Sequence, residues 1–264
     1  MDDLITDYYD NLNPGAFSDC ECQTPRSQSC LDCFQSQFFY GNEISYACEE
    51  KRKLYVLRYF PVHCKENYHG AKNIPYDVVD KWFGYGYVKI LSVGGGPGSD
   101  ICGVLEYLEE EALSRQLDLS VDVVRLDIED QWDEVFDDVM ERFFPWVNYR
   151  TVHLNVSDGI DLISDENFDL VTISYLISEL SKEACINLAD EVGSVLVDGG
   201  VLIINDRPEG VVEKNIRSMF DRIELSYEES SMCDWAGYSY PNDVAEAVGP
   251  KFNMNSIMFV GVKL

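Results

Sequence analysis

From about residue 85 onward, short apolar runs alternate with stretches whose apolar residues recur every three to four positions, which predicts parallel strands joined by crossover helices. Val88 to Val93 reads as the first strand, and the glycines after it open a helix whose Ile101, Val104, Leu105 and Leu108 share one face. Val121 to Leu126, ending at Asp127, is the second strand. Trp132, Val135, Phe136, Val139, Met140 and Phe143 then trace a helical face without a miss, and Pro145 stops it. Strands three and four are expected at Val152 to Val156 and Phe168 to Tyr175, the latter apolar almost throughout, as suits burial on both faces. Ser181 can cap a helix that turns Ala184, Cys185, Leu188, Val192 and Val195 inward. Asp198-Gly199-Gly200 is expected to end that helix, and Val201 to Asn205 to form the fifth strand. Ile223 to Tyr227 and Ser256 to Val262 finish the chain as two strands without a clear crossover helix, which predicts an antiparallel pair at one edge.

The first 75 residues break this rhythm. They are rich in Cys and Tyr, and hold a helix expected from about Ile44 to Phe60, followed by the Pro-containing stretches "YFPVHC" and "NIPYD". Residues 1–75 are therefore expected to form a mainly helical cap that contributes to a substrate site, and residues 76–264 the α/β core. Neither internal repeats nor low-complexity tracts are present.

A chain of 264 residues that is 46% apolar, with 16 Tyr and 13 Phe, is a packed globular protein and not a disordered one. Its formal charge of −28 repels phosphate backbones, which argues against indiscriminate nucleic-acid binding and favours small-molecule or protein partners, a basic protein among them. One segment runs against this balance. Glu49 to Lys72 carries Lys51, Arg52, Lys53, Arg58, Lys65 and Lys72 against Glu49, Glu50 and Glu66, and reads either as a solvated helix face or as an anion- or RNA-facing patch. The acidic N-terminus lacks signal-peptide character and no apolar run approaches the roughly 18 residues of a membrane span, so a cytoplasmic or nuclear location without membrane partners is expected. Nine cysteines, an odd number, are expected to be mostly reduced thiols.

The stretch "ILSVGGGPGSD" places Gly94, Gly95, Gly96 and Gly98 between a strand and a helix, where missing side chains let a ligand approach the backbone. A phosphate-binding P-loop fails, because Gly98-Ser99-Asp100 has an acid where that loop needs lysine. A dinucleotide fingerprint starting at Gly94 and Gly96 meets Ser99 at its third glycine position, and Asp127 lies about ten residues beyond the usual spacing. S-adenosylmethionine, a sulfonium cation without phosphate, tolerates this acidic surround. The glycines would admit its amino-acid portion and adenosine, Asp127 would accept hydrogen bonds from the ribose hydroxyls, and Asp158 or its neighbours would meet the adenine edge.

The order from Val88 to Val262 resembles the class I S-adenosylmethionine-dependent methyltransferase family over about two thirds of the chain. The resemblance implies a seven-stranded, mostly parallel Rossmann-like sheet with an antiparallel C-terminal pair, and S-adenosylmethionine as cofactor. The family's first motif falls on Leu91-Ser92-Val93-Gly94-Gly95-Gly96-Pro97-Gly98; all three motif glycines match, while Ser92 stands where the family has an acid and Asp100 is the nearby substitute. By position the resemblance assigns the ribose acid to Asp127 with Ile128 beside it in "VRLDIED", the adenine side to Asp158 in "NVSDG", and the segment after strand four to "TISYLISEL", with Ser174 and Tyr175. That last segment locally resembles the mitochondrial small-subunit rRNA methyltransferase-like group. Read alone, Asp158 serves equally as a solvated loop acid, and Glu179 as an ordinary charge at a helix start.

Methyl transfer needs acceptor and methyl held in line and water excluded, and no metal or cysteine nucleophile. The acceptor side is expected from the cap and from the 28-residue stretch Glu228 to Asn255 with Trp235, Tyr238 and Tyr240. Tyr59, Tyr68, His69 and Tyr175 are the candidates for direct roles, each with a packing role as the plainer reading. The Asn/Asp-Pro-Pro-aromatic tetrad of amino-methylating nucleic-acid enzymes is absent after strand four, where "SYLI" stands. Cys20, Cys22, Cys30 and Cys33 can be read as a tetrahedral structural zinc site, with His63, Cys64 and His69 as competing ligands, or as free thiols. The leading reading is a methyltransferase with a small-molecule or protein acceptor. A catalytically inactive interaction module, motivated by Ser92 and the charge, and an RNA methyltransferase using the 49–72 segment stay open beside it.

Overall fold

A computed structural model describes residues 1–21, 23–38, 44–160, 163 and 165–264. The elements follow in the order α1 (Asp2–Asp10), α2 (Cys30–Ser36), α3 (Glu49–Ala71), α4 (Tyr76–Tyr85), β1 (Tyr87–Val93), α5 (Ser99–Arg115), β2 (Ser120–Asp127), α6 (Asp133–Phe143) and β3 (Asn148–His153). They continue with β4 (Phe168–Ser174), α7 (Lys182–Val195), β5 (Leu196–Asp206), α8 (Gly210–Ile223), β6 (Leu225–Met232), α9 (Asn242–Val248) and β7 (Ser256–Lys263). The strands form one seven-stranded sheet in the order β3-β2-β1-β4-β5-β7-β6, in which β7 alone runs antiparallel to its neighbours β5 and β6. This is the sheet expected from the sequence, including its closing antiparallel pair.

Strand alternation sorts the core into two layers. In β1, Val88 and Ile90 join the cluster beneath α3, α5 and α6, whereas Leu91 and Val93 join the one beneath α7 and α8. In β5, Val201 and Ile203 face the first layer and Leu202 and Ile204 the second, as a period of two requires. The first cluster also contains Leu54, Leu57, Phe60 and Cys64 of α3 and Leu4 and Ile5 of α1, so the N-terminal region shares its core with the sheet.

Several boundaries differ from expectation, each for a physical reason. The helix expected to end at Phe60 runs on to Ala71, straight through Pro61. An interior proline costs about 3 kcal/mol, but Leu57, Phe60, Val62 and Cys64 around it are all buried, and each such side chain contributes about 1.5–3 kcal/mol. Packing wins. The third strand lies at Asn148–His153 instead of 152–156; it pairs only with β2, and a half-exposed edge strand needs no continuous apolar run. Asp198-Gly199-Gly200 does not follow a helix end but lies within β5, where the β4 register jumps from Leu196 to Val201 and Gly199 takes φ +77°. Gly210–Ile223, which no clear pattern announced, forms α8, and the 28-residue stretch contains the end of β6 and the short α9. Among the described residues no helix is long and apolar enough to cross a membrane.

Candidate functional site

Parallel pairing sets Val93 of β1 level with Leu126 of β2 and Ile173 of β4. The residues just beyond, Gly94, Asp127 and Ser174, therefore meet at one end of the sheet. Between β1 and β4 the strand order reverses direction, and ligands of open α/β sheets bind outside the carboxyl ends of the strands at such a switch point. A cavity of about 760 Å³ opens there.

The glycine loop forms one wall. Gly96 has φ +48°, a conformation that side chains rarely adopt, and a Cβ built on it would project into open space with Trp132 Nε1 at 4.0 Å as its near neighbour. At Gly98, φ +83°, a Cβ would strike the Phe136 ring at 2.5 Å, so this glycine serves close packing and does not line the cavity. Arg125, fully buried, braces the loop from behind by donating to Gly96 O at 2.8 Å and pairing with Asp133 at 2.7 Å.

Asp127 ends β2 with both carboxylate oxygens fixed. Gly96 N–H donates to Oδ2 at 2.7 Å and Glu129 N–H to Oδ1 at 2.9 Å. Burial pushes this carboxyl up, opposed by Arg125 and by the two amide donors. Each oxygen keeps a lone pair for a ligand hydroxyl.

Of the residues expected to hold a cofactor, Gly94, Gly96, Asp127, Ile128, Ser174 and Tyr175 line the cavity. Gly95, Gly98, Asp100 and Asp158 do not. A Cβ on Gly95 would sit 2.4 Å from Ser92 Oγ and 2.9 Å from Arg125 Cγ, so that glycine faces the loop's support. Asp100 is buried beneath the loop, where Ser92 and Thr172 hydroxyls both donate to Oδ2 at 2.6 Å. Burial raises its carboxyl and those two hydroxyls pull it back. Ser92 thus does not leave the loop without an acid; it binds one. Asp158 is exposed on a 3-10 turn, because β3 ends early and Leu154, Asn155 and Val156 take the place beside β2 instead.

The opposite wall comes from α3. Tyr55, Tyr59 and His63, four residues apart, share one helix face, with Glu66 a further turn along. His63 stacks on Tyr59 (5.6 Å between centroids, 7° between planes) and on Tyr175 (4.1 Å, 18°), and its Nδ1 lies 3.1 Å from Tyr55 OH. Burial, with Lys251 nearby, drives its pKa well down, so the imidazole is neutral. Beneath this stack Glu66 is fully buried. Its oxygens accept from Tyr175 OH (2.9 Å), Asn205 Nδ2 (3.2 Å), Lys251 Nζ (3.1 Å) and Asn255 N (3.0 Å), joining α3 to the ends of β4 and β5 and to the turn before β7. Lys251 also donates to Tyr175 OH at 3.0 Å. Tyr175 itself holds φ +56°, a left-handed conformation that costs a bulky residue about 1–3 kcal/mol and persists where surroundings enforce it.

Tyr59 and Tyr175 are therefore at the cavity, whereas Tyr68 and His69 are not. They lie off the face that carries Tyr59 and His63, and Tyr68 OH donates to Glu110 of α5. Trp235 is exposed, and Tyr238 and Tyr240 pack with the main core; the long stretch contributes Lys251 and Asn255 instead. Glu179 lines the cavity rather than acting as a bare helix-start charge. Burial raises its carboxyl to about 7, Arg207 opposing and Asp206 and Asp127 adding to the rise. Sequence reasoning missed Tyr46, Tyr55, Arg58, Trp132 and Arg207 as lining residues; only the four-residue spacing of Tyr55, Tyr59 and His63 offered a signal.

The basic segment is only partly exposed: Lys72 is exposed and Lys65 half-buried, both over the Tyr68 ring, but the cations at its start turn inward. Lys51 and Arg52 are buried, Arg52 donating to Tyr46 O at 2.7 Å, and Lys53 donates to Asn11 O at 2.8 Å while pairing with Glu49 and Glu50. Of the expected zinc ligands, Cys20, Cys30 and Cys33 lie near one another and near Cys48, without forming a group placed to hold a metal ion. Cys20 Sγ lies 3.8 Å from Cys48 Sγ, and Cys33 Sγ accepts from Thr24 N at 3.2 Å. Cys22 lies outside the described residues, and among those described no group of three or more His, Cys, Asp or Glu is placed to hold a metal ion.

No family model matches the sequence, and no curated protein matches it. Among solved structures, the chain is similar to a TehB-like SAM-dependent methyltransferase from Corynebacterium glutamicum, at 18% identity over 67% of this chain and 80% of that one, with a TM-score of 0.42. It is also similar to TehB from Haemophilus influenzae, at 17% identity over 76% and 67%, TM-score 0.46. A SAM-dependent methyltransferase from Archaeoglobus fulgidus aligns at 13% identity over 70% and 89%, TM-score 0.42.

Proposed function

We propose that this chain is an S-adenosylmethionine-dependent methyltransferase acting on a small molecule. The observation that carries the reading is the cavity at the sheet's switch point, where Asp127 faces the open backbone of Gly96 with both carboxylate oxygens pre-set by amide donors. Asp127 would hold the ribose hydroxyls, Gly94 and Gly96 would admit the ligand against the backbone, and Ile128, Asn155 and Val156 would flank the adenine. When bound, S-adenosylmethionine supplies a methyl group on a cationic sulfur, open to in-line displacement. The chain's task is to orient an acceptor and to exclude water, and the aromatic wall of Tyr55, Tyr59 and His63 supports both. His63, held neutral by burial, is fixed in that wall by Tyr55 OH and by its stacking between Tyr59 and Tyr175.

A small-molecule acceptor is supported over RNA by the charge of −28 and by the burial of Lys51 and Arg52 within the 49–72 segment. Catalysis is favoured over an inactive module by the volume of the cavity, which leaves room for an acceptor beside the cofactor. Binding of S-adenosylhomocysteine tests the reading. At a hundredfold excess over Kd the stabilisation is about 2.7 kcal/mol, a rise of roughly 5–10 °C in melting temperature for a chain of this size. Asp127→Ala, checked by circular dichroism for retained fold, should abolish the rise. Absence of binding to the wild type at millimolar concentration in calorimetry would refute the proposal.

A further inference from the structure

We infer that the half of the cavity away from the glycine loop binds a planar, ring-bearing organic acid whose carboxylate meets Arg58. The inference rests on the methyltransferase reading for its identity as an acceptor site, but its evidence is separate.

Charge accounting singles out Arg58. Three cations line the cavity, Arg58, Arg207 and Lys251. Lys251 is neutralised by buried Glu66 at 3.1 Å. Arg207 lies 3.9 Å from Glu209 and shares its surroundings with Glu179 and Asp206. Arg58 has no carboxylate within ion-pair distance among the described residues. Its guanidinium donates to the Val248 carbonyl, and the Gln35 amide oxygen, in the orientation that satisfies both groups, accepts from Nη1 at 3.0 Å and Nη2 at 3.2 Å. Nε is buried without a partner. Neutral carbonyls fix the group's position and, among the described residues, no carboxylate compensates its charge. In a chain with 48 acidic and 20 basic residues, a guanidinium set on a cavity wall with no acid beside it among the described residues is matched to an anion that arrives from outside.

Shape supplies the second half. Arg58 lies over the Tyr59 ring at 5.7 Å, and Tyr59 runs parallel to His63, which runs nearly parallel to Tyr175. The result is a stacked row of rings with Arg58 over Tyr59 and Lys251 over Tyr175. Phe38 and Tyr46 line the same cavity. Flat apolar walls favour a flat ring by offset or edge contacts. A volume of about 760 Å³ lies in the upper part of the roughly 300–1,000 Å³ range of small-molecule sites, room for a nucleoside-sized cofactor and one further small molecule.

The test is calorimetry on the full chain saturated with S-adenosylhomocysteine, titrated with 4-hydroxybenzoate, 3-hydroxy-2-naphthoate, the methyl ester of each, and adenosine monophosphate. At least one acid should bind roughly tenfold tighter than its ester. Arg58→Gln should erase that difference and leave S-adenosylhomocysteine affinity unchanged, while Arg58→Lys, which keeps the charge without the planar fork, should retain part of it. The acid–ester comparison on the wild type decides the matter even if a variant does not fold. Failure of both acids to bind, equal binding of acid and ester, discrimination that survives in Arg58→Gln, or tighter binding of the mononucleotide would each overturn the inference. Failure of S-adenosylhomocysteine to bind the wild type would strike the cofactor reading instead.

Discussion

Glu179 shows how one side chain can make the site respond to pH. Its carboxyl titrates at about 7 because burial and the neighbours Asp206 and Asp127 outweigh Arg207. A cationic ligand in the shared cavity favours the ionised form. Above pH 7 the carboxylate is already present, whereas below it binding must expel a proton, at a cost approaching about 1.4 kcal/mol per pH unit. Affinity for S-adenosylmethionine is expected to fall up to about tenfold from pH 8 to pH 6. S-adenosylhomocysteine, which lacks the sulfonium charge, should show a much flatter profile in the same calorimeter, and Glu179→Gln should flatten the first. Identical profiles for the two ligands would show that Glu179 does not sense that charge.

Between elements, the α3–α5 contact carries most risk. A Cβ on Gly103 of α5 would lie 2.2 Å from Cys64 O and 2.6 Å from Tyr68 N, backbone atoms of α3 that cannot swing aside. Gly103→Ala should destabilise the protein by about 3 kcal/mol in urea unfolding, the upper end of ordinary overpacking. Glu66→Gln breaks the buried pair with Lys251 and should cost about 3–5 kcal/mol in the same assay. These contacts also mark where the sequence could be read and where it could not. β1, β2 and β4 are interior strands in which apolar residues dominate, and Asp127 follows from the end of one of them. β3 escaped because an edge strand lacks that dominance, and Asp158 was misplaced by the same few residues. α3 was cut short at Pro61 because local propensity cannot register the core that overrides it. Arg58, Lys251 and Asn255 come together only through tertiary contacts, with Lys251 N donating to Arg58 O at 2.9 Å, and no spacing along the chain announces that.

At the scale of the molecule, the N-terminal region is a layer of the fold. Leu54, Leu57 and Phe60 share one core with Val88, Ile90, Val201 and Met258, so residues 76–264 alone would leave part of one face of the sheet uncovered. That fragment is expected to lose near-UV circular dichroism and bind a hydrophobic dye, as a loosely packed state does; a cooperative thermal transition in it would show that the core stands without the cap. The position of α3 has a further consequence, for how this protein can change. The helix that builds the aromatic wall of the cavity also seals the interior, so a substitution there alters ligand preference and folding free energy together. New specificity is more accessible in the turn around Lys251 and Asn255 and in the segment around Tyr46, which line the same cavity from outside the helix. Variant libraries directed at those two places should yield more folded proteins with altered ligand choice than libraries directed at Tyr55, Tyr59 and His63.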